Sequence, residues 1–186
     1  MNSRNGCRKG IAGFCCAIVG FAAVGAVRAA DVTLVWTFPD GRTETERRPV
    51  VACGGDVGEV VVTRSEIASR TGARELRMRP DFAWAKRGEE GFWLSPNGPC
   101  GTYRFENGFA EEDYNRMPFF GMKTPRDCYV AIVTGMPYDF WMTVEATNGL
   151  YRQSAVWRER ELADPYEDLR VEFHRLPQTA NHVDMA

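Results

Sequence analysis

The chain is 186 residues long and carries 25 acidic against 23 basic residues. That is one domain's worth of sequence, enough for a real core. An acidic chain without a basic run repels phosphate backbones, which excludes nucleic acid as a partner.

The N-terminus has the order of a secretory leader. Arg4, Arg8 and Lys9 come first, Ile11 to Val27 is an uncharged run of apolar and small residues, and Val27-Arg28-Ala29 suits signal peptidase. Residues 1–29 therefore read as a signal peptide helix, cut after Ala29 or, alternatively, after Ala30. A run of about 17 residues is at the lower limit for spanning a bilayer, and no second such run follows. The expected product is secreted, periplasmic or on the cell surface, with no stable membrane span after cleavage. Losing Arg4, Arg8, Lys9 and Arg28 leaves 157 residues with 19 cations against 25 acids, a net charge of −6.

After the leader, period-two alternation dominates. Val32, Leu34, Trp36 and Phe38 alternate with Thr33, Val35 and Thr37, and Pro39-Asp40-Gly41 is a turn. Polar Arg42 to Arg48 reads as an exposed return strand. Cys53-Gly54-Gly55 breaks the pattern before a β-branched strand over Glu59 to Thr63. Ser65 to Arg70 predicts one or two helical turns, capped by Ser65 and ended by Gly72. Leu76 and Met78 then alternate with Arg77 and Arg79, ahead of Pro80. Phe92 to Leu94 leads into the turn Ser95-Pro96-Asn97-Gly98, and Gly101 to Glu106 into Asn107-Gly108. Phe109 to Asp127, with its dense Met117–Met122 patch, lacks clean periodicity and reads as an ordered loop or irregular edge. Cys128 to Thr134 is apolar on both faces, as a central covered strand should be. In Asp139 to Glu145, Phe140, Met142 and Val144 share one face. Asn148-Gly149 turns the chain into Leu150–Trp157. Leu169, Val171 and Phe173 oppose Arg170, Glu172 and His174. Nine or ten strands and almost no helix predict an all-β fold, an antiparallel β-sandwich over 30–176, with a tail over 177–186.

Motifs for chemistry are sparse. Three cysteines, Cys53, Cys100 and Cys128, remain after the leader, and their pairing is open between a disulfide and three buried thiols. His174 and His182 are the only histidines, and His174 falls on a polar strand face. No nucleophile elbow, phosphate loop, zinc signature or calcium loop is present. No cofactor or metal is expected. A carboxylate pair for glycan cleavage is a tertiary property that sequence does not reveal. Trp93 and Trp141 alternate with Phe92/Leu94 and Phe140/Met142, so each should point away from its apolar neighbours. Such an indole serves either as packing or as a face for a sugar ring.

A set of phrases gives the chain a family resemblance. Gly91-Phe92-Trp93-Leu94-Ser95-Pro96-Asn97-Gly98 is followed by Met117-Pro118-Phe119-Phe120-Gly121-Met122-Lys123-Thr124-Pro125. Val130-Ala131-Ile132-Val133-Thr134-Gly135-Met136, Tyr138-Asp139-Phe140, Pro165-Tyr166-Glu167-Asp168 and Val171-Glu172-Phe173-His174-Arg175-Leu176 come after it. In this order they resemble the N-terminal mutarotase-like supersandwich of large bacterial glycoside hydrolases related to α-N-acetylgalactosaminidases. In those enzymes the sandwich precedes a catalytic (β/α)-barrel. Here the sequence stops at Ala186, where the leading helix of that barrel would begin, so the resemblance implies no catalytic residue. It implies an accessory domain that contacts carbohydrate or supports a catalytic-domain partner, through Trp93, Asn97, Trp141, Met117, Phe119 and Met122. The rival readings are a small secreted glycan-cleaving enzyme using its own carboxylates and a cell-surface interaction protein.

Overall fold

The alternation from Asp31 onward is realised as strands. The computed structural model describes residues 30–82, 84–95, 101–104, 112–114, 119–134 and 140–181. Residues 1–29, Asn97, Cys100, Met117 and the last five residues lie outside them. Numbered in chain order, the strands are β1 Asp31–Thr37, β2 Thr43–Pro49, β3 Val51–Gly54, β4 Val57–Val62, β5 Glu75–Pro80, β6 Trp84–Lys86 and β7 Phe92–Ser95. They continue with β8 Gly101–Arg104, β9 Glu112–Tyr114, β10 Phe119–Lys123, β11 Cys128–Thr134, β12 Phe140–Thr147, β13 Leu150–Arg158 and β14 Leu169–Arg175. Two short helices, α1 Arg64–Ser69 and α2 Glu159–Ala163, interrupt them.

The strands form two antiparallel seven-stranded sheets, as an all-β sandwich requires. The first runs β2-β1-β5-β13-β12-β9, with β6 also on β13; the second runs β3-β4-β14-β11-β10-β7-β8. Between them lies one core. Val32, Leu34, Trp36, Leu76, Met78, Met142, Val144, Tyr151, Ala155 and Trp157 of the first sheet meet residues of the second. Those are Val60, Val62, Trp93, Phe120, Met122, Tyr129, Ala131, Val133, Leu169, Val171 and Phe173. Trp36, Trp93 and Trp157 are fully buried; each removes about 150–250 Å² from water, worth at most about 4–6 kcal/mol of transfer free energy.

Several expectations hold. The Asn148-Gly149 hairpin has both residues at positive φ, 53° and 73°, as a type I′ turn needs. Strand β2 is the exposed charged return, β11 sits inside its sheet, and β14 alternates as read.

Others need correction. Fourteen strands are present among the described residues, more than nine or ten. The helix near residue 65 is capped by Thr63, not Ser65. The Thr63 hydroxyl accepts from Glu66 N–H at 3.2 Å and the Glu66 carboxylate accepts from Thr63 N–H at 2.7 Å, the reciprocal box of Thr-x-x-Glu. The Met117–Met122 patch is no irregular edge from Phe119 on: β10 is interior, paired with β11 and β7. Its period was hidden because its outward side is also apolar. Phe119 joins Phe92, Leu94, Cys128 and Val130 in a second cluster on the outside of the second sheet, covered by Leu176 and Ala180. Lys123 Nζ donates to Ala180 O at 2.5 Å, so residues 177–180 belong to the sandwich rather than to a separate tail. Cys53 is exposed and outside any disulfide, not a buried thiol.

Candidate binding cleft

The strand β5 leaves its neighbour before it ends. Met78 pairs with Ala155, whereas Trp84 pairs with Arg152, so the chain spends more residues between these two pairs than β13, which has only Gln153 and Ser154 there. The excursion is a wide bulge, the kind of irregularity that re-aims side chains. It is pinned at both sides. Asp81 N–H donates to Asp31 O at 2.9 Å, and Phe82 packs edge-on against Tyr129 and Phe173, with ring centroids 5.2 and 5.4 Å away.

Alternation fixes what faces out. Met78, Ala85 and Tyr151 point into the core, so Arg79, Trp84, Lys86, Leu150 and Arg152 point to the outer face. Together with Pro80 and Asp81 they line a cleft of about 390 Å³, within the usual range for a small-ligand site. A second cleft of about 280 Å³ lies beside it, lined by Asp31, Arg47, Asp81, Arg126, Asp127 and Arg175 among others; Trp84 forms part of both walls.

A cation–π contact braces the Trp84 indole. The Arg126 guanidinium lies 3.9 Å from the indole centroid and is clamped by both oxygens of Glu89. Glu89 also accepts from Lys86 N–H at 2.8 Å, closing the turn after β6. The Arg126 hydrogen bond, aided by that N–H and the nearby cations, holds the Glu89 carboxyl below its ordinary value against the opposing effect of burial. The same bond raises Arg126.

Charge is distributed unevenly. On the outer face, Arg77 bonds both Glu75 and Glu145, a trio that keeps one net negative charge. Asp81 is engaged by the Thr33 hydroxyl at 2.7 Å and by Arg47 at 2.8 Å. Arg79, Lys86 and Arg152 make no ion pair among the described residues. Burial, then the neighbouring charge of Arg152, lower Arg79 from its ordinary value; Asp81 opposes this and Arg77 adds to it. The first cleft thus carries three cations against one occupied carboxylate, in a chain that is acidic as a whole.

The residues expected to make contact are distributed differently. Trp93 points inward, 1% exposed and stacked on Tyr151 at 5.8 Å; it and the fully buried Met122 belong to the core. Phe92 and Leu94, apolar too, lie under the C-terminal segment, so the alternation gave no polarity by which to choose the face. Phe119 is half-buried in that same outer cluster. Asn97 and Met117 lie outside the described residues. Trp141 does face outward, half-buried beneath Arg158 at 4.1 Å. It shares the outer face with the cleft: its partner on β13 is Val156, four residues, or about 13 Å, along the strand from Arg152. Sequence reasoning passed over Trp84, Arg79, Lys86 and Arg152. Their signal was the halt of the Leu76–Arg79 alternation at Pro80-Asp81, with a tryptophan soon after.

Among the described residues, no cluster of three or more His, Cys, Asp or Glu side chains could hold a metal ion, and no helix is long and apolar enough to cross a membrane. Comparison with protein-family models, curated proteins and solved structures found no match to this chain.

Proposed function

We propose that the chain is an exported, non-catalytic accessory β-sandwich that contacts carbohydrate at the cleft around Trp84. The observation that carries this reading is the placement of a braced indole beside polar side chains on a rigid sheet. Arg126 lines only the second cleft, while Trp84 lines both. A sugar ring offers an apolar C–H face for an indole and hydroxyl groups for Arg79, Asp81, Lys86 and Arg152. The alternative role, support of a partner domain, calls for an uncovered apolar face. Among the described residues the large exposed hydrophobics are Val51 and Tyr166, and the apolar outside of the second sheet is covered by its own chain. The catalytic alternative draws on the acids of the second cleft. Each has an arginine partner: Arg47 for Asp31 and Asp81, Arg175 for Asp127.

The test is calorimetric titration of the mature protein with neutral and charged oligosaccharides, alongside Trp84→Ala. Binding that weakens at least about tenfold in the variant, with its melting transition retained, is the expected result. Binding of no glycan, or binding indifferent to Trp84, would overturn the proposal.

A further inference from the structure

We infer that this cleft selects glycans bearing a carboxylate or sulfate, the anion held by the Arg79 and Arg152 guanidinium groups while a ring of the same chain lies on Trp84. The inference rests on the carbohydrate reading above and narrows its ligand. Four observations lead to it. First, Arg79 and Arg152 line one cleft and neither makes an ion pair among the described residues, while Glu75 and Glu145, the latter cross-strand from Arg152, are both bonded to Arg77 instead. Second, Asp81, the acid lining that cleft, is already bonded to Thr33 and Arg47, which leaves Arg79, Arg152 and Lys86 in excess. Third, Arg79 is half-buried at the root of the bulge, where a like-charged neighbour disfavours it; an incoming oxyanion relieves that repulsion and accepts from both planar forks. Fourth, β13 is hydrogen-bonded on both sides, to β12 and to β5 and β6. Among the described residues the strand edge left at the cleft is that of β6, three residues long and paired with β13 alone, a short edge for an acidic peptide to extend, whereas a ring with an equatorial anion needs none.

Three hexasaccharide-sized probes separate the possibilities: oligogalacturonate for carboxylate, a dextran sulfate oligomer for sulfate, and maltohexaose as the uncharged control. They are titrated into the mature wild type, Arg79→Gln, Arg152→Gln, the double Gln variant and Arg152→Lys, at low and at physiological salt. The expected result is that one charged probe binds at least about tenfold more tightly than maltohexaose, and that each Gln substitution costs about tenfold, the loss of one charge-assisted hydrogen bond. Arg152→Lys should recover only part of it, because an ammonium lacks the fork. Arg152 is exposed, so its variants keep the fold. For Arg79, the arginine Nε–H resonances of the wild type supply a readout independent of mutation, and two of them should shift on addition of the preferred probe. Charged probes that bind the double variant as well as wild type would overturn the inference. So would maltohexaose matching them in a Trp84-dependent manner, which leaves the carbohydrate reading standing. If no probe binds and no arginine resonance moves, both fall.

Discussion

Tyr129→Phe deletes a single oxygen at the middle of the sandwich, and its cost can be worked from the geometry. The phenol donates to Gln153 Oε1 at 2.9 Å, and both residues are buried, Tyr129 1% and Gln153 0% exposed. The Gln153 amide in turn donates to Leu94 O at 3.4 Å and approaches Met142 Sδ at 3.6 Å. One side chain thus ties β13 to two strands of the opposite sheet, at the position where β5 bulges away. Burial, with smaller contributions from Asp127 and Cys128, drives the Tyr129 phenol well above its ordinary value, so it is a neutral donor at any working pH. Removing it strands a buried carbonyl oxygen, which costs about 1–3 kcal/mol. For a domain of this size that lowers the melting temperature by about 2–12 °C. Gln153→Leu strands the phenol instead and should cost a similar amount. The double variant leaves neither group orphaned, so its penalty should fall short of the sum by about 1–2 kcal/mol. Urea unfolding followed by tryptophan fluorescence measures all four proteins. A Tyr129→Phe variant within about 0.3 kcal/mol of wild type, or a strictly additive cycle, would refute the reasoning.

Two further outcomes are expected. The folded Glu89 carboxyl lies below its ordinary value, so its contribution is complete above about pH 4.3 and fades as pH drops beneath that. Glu89→Gln should therefore lower the melting temperature at neutral pH and narrow its gap from wild type in acid, and a gap that stays constant from about pH 7 to pH 3 would contradict this. Asn148→Ala places a β-carbon-bearing residue without a local polar side chain at φ 53°; it should lose about 1 kcal/mol, or about 2–4 °C by calorimetry, and no loss would argue against the type I′ turn.

What the sequence disclosed, and what it withheld, follows from the number of covered faces. Where one face meets the core and the other water, as in β1, β5 and β14, alternation of Val, Leu and Met with Thr and Arg revealed strand, register and facing together. Where both faces are covered, the code fails. In β7 and β10 every position is apolar or glycine apart from the ends, because Leu176 and Ala180 fold back over the outer side, and the alternation therefore left open which side of Trp93 meets the core. A long-range return of the chain leaves no local trace in those strands. The cleft was hidden for a related reason. Arg79, Trp84 and Arg152 meet through a ladder between β6 and β13 that joins residues more than sixty positions apart, and the bulge is visible only when both registers are known. The missed α2 is five residues long, too short to leave a helical period.

The pinning of the bulge bears on the entropy of recognition. Phe82 is locked between Tyr129 and Phe173, Asp81 is bonded through backbone and side chain, and the Trp84 indole is held beneath a guanidinium that is itself clamped by Glu89. The floor and one wall of the cleft are therefore already ordered before any ligand arrives. Immobilising a rotamer-rich side chain on binding costs about 0.5–1.5 kcal/mol, a cost that here falls on Arg79, Arg152 and Lys86. Discrimination among ligands of similar size consequently reflects the fit of a preorganised surface rather than the work of assembling one.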